Sequence, residues 1–137
     1  MAEAVGELKE PEPIPEELEG AARQIIGAAI EVHRHLGPGL LESVYERALI
    51  HELNLRGLTV KVQVPVTVTY KGLEITGQRL DLLVDPGVVV ELKSVEKLLV
   101  LHERQLLSYL KSSGCRLGLL INFNTRMVRQ GIRRVVN

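Results

Sequence analysis

Cysteine is almost absent from this chain. Cys115 stands alone, so there is neither an internal disulfide nor a cysteine metal cluster. Aromatic residues are also scarce, with no Trp, one Phe and three Tyr. That excludes a visible ladder of rings on which single-stranded bases could stack. No apolar run reaches the roughly 18 residues of a membrane-spanning helix. The first ten residues are acidic and lack an apolar signal core, so the expected setting is the cytoplasm, with no membrane partner. Net charge is missing too: 17 Lys and Arg balance 17 Asp and Glu, so bulk charge does not mark a nucleic-acid binder.

What is present suits one soluble domain. The 137 residues are 45% apolar and 25% charged, enough for a real core. The charges are unevenly placed. Residues 1–20 hold seven Glu and one Lys, whereas six Arg, one Lys and no acid occur from Arg104 onward. Such asymmetry hints at a polyanion partner, and a solvated leader with scattered surface arginines explains it equally well. Three prolines and the absence of an apolar period predict a disordered acidic leader over 1–15, followed by a single domain over 16–137.

Periodicity supplies the elements. Leu18, Ala22, Ile25, Ile26, Ala29, Val32 and Leu36 recur at three and four, predicting a helix over 15–36 that Gly37-Pro38-Gly39 stops. His33 and His35, two apart, do not share a helix face and read as surface. A second helix is expected over 41–56, with Glu42, Tyr45 and Leu49 on one face. From 58 to 70 the period becomes two, with Val60, Val62, Val64, Val66, Val68 and Tyr70 as the buried face. Pro65 marks that strand as an edge or a bulge. A strand follows from Leu73, with a break near Gly77. A helix is expected over 95–112, with Leu99, Val100, Leu106, Leu107 and Leu110 apolar and His102, Gln105 and Tyr109 as a separate stripe. Apolar residues 116–123 read as a buried strand, and Ile132 to Val136 as a short last one. The order is helix, helix, three strands, helix, strand, plus that extra C-terminal strand. This is an α/β chain of the α+β type, a mixed sheet with helices packed on it.

The central stretch runs from Arg79 to Ser94. Asp85-Pro86-Gly87 separates two apolar runs and reads as the turn of a hairpin. With a three-residue loop, Val84 faces Val88 and Asp81 falls opposite Glu91. Asp81, Glu91 and Lys93 then share one face, and Leu80, Leu82, Val90 and Leu92 the other. Opposed residues have Cβ atoms roughly 4.5–5.5 Å apart, where two carboxylates repel. A divalent cation gives a reason to place them so, because Mg²⁺ takes hard oxygen ligands. The bland alternative is an ion pair in which Lys93 neutralises both acids, worth little if exposed. Glu42 likewise has a bland role, as an acid complementing the N-terminus of its helix.

Asp81 followed by Glu91-Leu92-Lys93 across a hairpin resembles the PD-(D/E)XK nuclease superfamily. Gly39-x-x-Glu42-x-x-Tyr45 and the Gly118 to Phe123 stretch extend the likeness to the small GxxExxY family within it, over roughly residues 20–137. The Pro of the superfamily signature is replaced by Leu80. The resemblance implies a restriction-endonuclease-like core and Mg²⁺, with Mn²⁺ able to substitute. It implies Asp81, Glu91 and the Leu92 carbonyl as metal ligands. Glu42 would bind the first metal through water, or a second directly. Lys93 would sit beside the attacking water, kept protonated by its acidic neighbours. Gln105 would position the nucleophile or a phosphate, supported by Tyr109. Arg79, Arg126, Arg129, Arg133 and Arg134, together with Tyr109, are candidates for contacts to nucleic acid, and a salt bridge explains Arg79 equally well. The implied partner is nucleic acid, DNA ahead of RNA, and a homodimer is an assembly to test. The implied function is a metal-dependent nuclease. A binding module that retains the fold without turnover, and a structural domain with a solvated ion-pair cluster, remain open beside it.

Overall fold

The apolar stripe after Pro15 builds a helix, α1, spanning Glu16–Leu36. Its buried residues are mostly small (Ala21, Ala22, Ala28 and Ala29 around Ile25), so the helix backbone lies close to the sheet. The structure, a computed structural model, describes residues 12–137. Most of the expected leader, 1–11, lies outside those residues. Of the remainder, Glu12 offers its carbonyl to Arg116 at 2.6 Å and Ile14 packs against the core.

After α1 come α2 (Glu42–Leu55), β1 (Val60–Tyr70), β2 (Leu73–Val84), β3 (Val88–Lys93), α3 (Val100–Ser113), β4 (Leu117–Asn122), a 3₁₀ turn (Val128–Gly131) and β5 (Ile132–Val136). The strands form one sheet in the order β1-β2-β3-β4-β5. Only β3 and β4 are parallel; the other neighbours are antiparallel. These two central strands are buried almost throughout, which explains their unbroken apolar runs. α1 and α2 cover one face, over Leu82, Val84, Val90, Leu92 and Ile121. α3, the crossover between β3 and β4, covers the other over Leu80, Val89 and Leu120. Gly118 permits that docking: a Cβ there would lie 2.9 Å from Leu106 Cδ1.

Several local expectations are corrected. β1 does not bury one face along its length. Val60 packs on the α1 side, Val64 and Val66 on the α3 side, while Val62 and Tyr70 are exposed. Leu80 likewise lies on the α3 side, not with Leu82, Val90 and Leu92. The pleat slips at Gln63, whose φ is +51°, and at Asp81 beside it; paired residues resume at Val62↔Leu82 and Val64↔Leu80. β1 is an edge strand, as Pro65 suggested. The irregularity near Gly77 is a register shift between Val66 and Val68 against β2. α3 begins at Val100, five residues late, because the Asn122 side chain takes both backbone groups of Val95, at 3.1 and 2.9 Å. Leu99 and Val100 are consequently exposed. His33 is buried, its Nε2 bonded to the Thr125 carbonyl at 2.8 Å; His35 is on the surface.

Candidate functional site

The site begins where the β2–β3 ladder ends. The three-residue loop gives the expected register, Val84↔Val88, Leu83↔Val89 and Leu82↔Val90. At the next step side chains replace the ladder. Glu91 Oε1 accepts the Asp81 N–H at 3.0 Å, and Asp81 Oδ2 accepts the Leu92 N–H at 2.9 Å. N–H and C=O of one strand residue leave along the same edge, so the Leu92 carbonyl faces this gap as well.

Glu91 is only 7% exposed. Burial, then the charge of Asp81, push its pKa up to about 9, with Lys93 offsetting only part. Among the described residues no ion pair joins Lys93 to Asp81, Glu91 or Glu42, so the neutralised cluster is not what the hairpin holds. A buried acid without a cationic partner keeps a proton or takes up a cation.

Glu42 opens α2 within range of the charges of Asp81 and Lys93. Its pKa is raised by burial first and then by Asp81, against a lowering by Lys93. A chain of contacts fixes the turn that presents it. Gly39 has φ +98°, a conformation that L side chains rarely adopt. The Tyr45 hydroxyl donates to the Gly37 carbonyl and accepts the Leu40 N–H at 3.1 Å. The Tyr45 ring stacks on Phe123, centroids 4.7 Å apart, and the Phe123 N–H donates to the Lys93 carbonyl at 3.0 Å. Ser94 Oγ donates to the Leu40 carbonyl at 2.7 Å.

From α3, Gln105 Nε2 donates to the Tyr109 hydroxyl at 3.1 Å. Tyr109 is buried, its pKa raised by that burial and by the charge of Glu91. The Gln105–Tyr109 stripe therefore faces the hairpin acids. His102 does not join it; its Nδ1 accepts the Leu99 N–H and starts the helix.

Two site residues escaped the sequence reading. Glu46 lies one turn beyond Glu42, a spacing of four that puts both on one face. Gln63 looked like a wet-face residue of a regular strand. Its Nε2 lies 3.3 Å from Glu46 Oε2 and 3.4 Å from Asp81 Oδ1. Burial raises the Glu46 pKa and Asp81 adds to it, while the Gln63 bond lowers it.

The arginines do not form one stripe. Arg79 is exposed on β2 opposite Pro65. Arg134 pairs with Glu19 of α1 at 2.7 Å. Arg133 donates to the Gln130 and Ile132 carbonyls and lines a groove of about 180 Å³ with Glu96 and Lys97. Arg126 and Arg129 border a cavity of about 260 Å³ against Ile30, His33 and Arg34 of α1.

Among the described residues no three His, Cys, Asp or Glu side chains converge closely enough to hold a metal. Asp81 and Glu91 are instead turned onto protein donors. The donor set, carboxylates beside a backbone carbonyl, is nonetheless of the kind that suits a hard cation.

The raised Glu91 pKa sets a pH dependence. Unfolded, this carboxyl ionises near 4.5; folded and metal-free, near 9. Between those values the unfolded chain binds fewer protons, so stability should fall as pH rises, and level off above 9. Thermal melts in chelator from pH 5 to 9 should show this slope, and Glu91→Gln should flatten it. An equal slope in the variant would assign the effect to other groups.

A family model described as the PD-(D/E)XK nuclease superfamily matches residues 19–135. Among solved structures, the chain is similar to the crystal structure of SSO0001. The TM-score is 0.54 at 19% identity, over 98% of this chain and 72% of that one. At that identity the likeness concerns the fold, a restriction-endonuclease-like mixed sheet. No curated protein matches the chain.

Proposed function

The chain belongs to the PD-(D/E)XK nuclease superfamily, and from that premise we propose that it is a Mg²⁺-dependent nuclease of the GxxExxY type, hydrolysing phosphodiester bonds of nucleic acid, DNA ahead of RNA. One observation carries the reading: buried Glu91 opposite Asp81, with no side-chain cation among the described residues in an ion pair with either. Asp81, Glu91 and the Leu92 carbonyl would hold Mg²⁺, or Mn²⁺ in its place, with Glu42 reaching it from α2. The bound cation would polarise the phosphoryl group and acidify a water. Lys93, at the end of β3, stabilises charge at the phosphate and orients the attacking water. Gln105, braced by the Tyr109 hydroxyl, positions the nucleophile or a phosphate oxygen.

A second reading, a nucleic-acid- or protein-binding module without turnover, is favoured by the Asp81 carboxylate, both of whose oxygens already accept from protein donors. A gel assay with labelled single- and double-stranded DNA and RNA, in Mg²⁺, Mn²⁺ or chelator, separates the two. The nuclease cleaves at least one substrate in metal and none in chelator. Lys93→Ala should keep Mn²⁺ binding and lose cleavage by about 10²–10³-fold, as removal of one charge-stabilising donor does. Metal-independent, salt-sensitive nucleic-acid affinity with no cleavage would favour the binding module instead.

A further inference from the structure

We infer that Gln63 is a positioning residue of this site, whose side-chain amide holds Glu46 and Asp81 together until a cation replaces it. The inference rests on the nuclease reading above and names a part of the same site that the superfamily motif does not include. Two carboxylates side by side repel unless something positive lies between them. Here the Gln63 NH₂ does: Nε2 is 3.3 and 3.5 Å from the Glu46 oxygens and 3.4 Å from Asp81 Oδ1. An amide nitrogen has two hydrogens, enough to serve both acids at once.

The backbone is bent to allow it. Gln63 has φ +51°, a left-handed conformation that costs an L side chain free energy and costs glycine almost none. The bend coincides with the slip in the β1–β2 pleat, which turns position 63 toward Asp81, while Val60 before it packs on the α1 side and Val64 after it on the α3 side. A sequence selecting only for the bend would place glycine here. The amide on two acids is what glycine would lack.

The contact is also easily released. Gln63 is exposed, so water can satisfy its amide once it leaves. The other Asp81 oxygen stays on the Leu92 N–H, so Oδ1 is the atom Asp81 can give up. Turned over, the same side chain presents Oε1, a hard oxygen. Gln63 thus keeps Asp81 and Glu46 aimed at the place where charge is needed and yields that place without leaving a buried donor unpaired.

The test is Mn²⁺ titration by calorimetry, followed by cleavage against Mn²⁺ concentration, for the parent, Asp81→Ala, Gln63→Leu and Gln63→Gly. Gln63→Gly keeps the bend and loses the amide, so its melting temperature should stay at or above the parental value. Loss of a residue that orients a metal ligand weakens metal affinity about 10–100-fold. Both Gln63 variants should show that weakening, and cleavage should recover toward the parental rate at saturating Mn²⁺. If Gln63→Gly binds Mn²⁺ as the parent does, the amide has no such role and only the bend matters, which overturns the inference. If the parent binds no Mn²⁺, the metal-site reading fails, and the inference with it. A parent that binds, with Asp81→Ala that does not, separates these failures.

Discussion

Asp81→Ala should bind no Mn²⁺ in a calorimetric titration and cleave no substrate, and it should also unfold more easily than the parent. The two losses have different causes. The carboxylate is a proposed ligand, and with it goes one of the two carboxyl groups that face each other across the hairpin. The same carboxylate satisfies the N–H of Leu92, a residue with no exposed surface. Alanine leaves that donor without a partner in the interior, which costs about 1–3 kcal/mol. Asp81→Asn separates the effects. Its side-chain oxygen can still accept from Leu92, and the Gln63 amide can turn over to meet its NH₂. Asparagine should therefore keep most of the stability and still lose the metal. It should also lower the raised pKa of Glu91, since the Asp81 charge is the second cause of that shift after burial. Asp81→Ala binding Mn²⁺ as tightly as the parent would remove Asp81 from the metal site.

The hairpin shows why so much of this was legible in sequence. A turn of Asp, Pro and Gly between two apolar runs has few solutions, and the three-residue loop fixes which residues oppose. The last strand, expected over 132–136, is found there as β5, with the β-branched Ile132, Val135 and Val136 around two exposed arginines. What was not legible depended on distant partners. The start of α3 is set by Asn122, whose side chain claims the Val95 backbone from 27 positions away. Gln63 and Leu80 were misplaced because alternation assumes a regular pleat, and the slip at Gln63 is invisible in a run of valines. Pro65 and Gly77 did mark β1–β2 as irregular, but not where the faces exchange. Glu46 needed only the spacing of four from Glu42. The C-terminal arginines cluster in sequence, yet alternating faces and one intervening 3₁₀ turn send them to three places, one of them an ion pair with Glu19.

Tyr45 joins the fold to the site, and truncating it should cost more stability than any other change considered. It is fully buried and stacks on Phe123 with an interplanar angle of 8°. Tyr45→Ala opens a cavity in the main core, and large aromatic truncations of this kind cost about 3–5 kcal/mol. Against the roughly 5–15 kcal/mol by which domains are stable, urea unfolding should move to a much lower midpoint. Tyr45→Phe keeps the ring and isolates the hydroxyl. It releases the Gly37 carbonyl and the Leu40 N–H, at a net cost of about 0.5–1.5 kcal/mol per bond. Its second effect is functional. The released turn ends at Leu41, the residue before Glu42, so the carboxylate loses its fixed approach to Asp81. Tyr45→Phe should therefore need more Mn²⁺ for half-maximal cleavage, although Tyr45 itself offers nothing to the metal. If stability falls and the Mn²⁺ midpoint does not move, Glu42 does not depend on the turn, and its approach is set by α2 packing on the sheet. If neither changes, the hydroxyl bonds are dispensable. A shift in both would make the tyrosine, through one hydroxyl and one stacked ring, the link between core packing and the geometry of the acids.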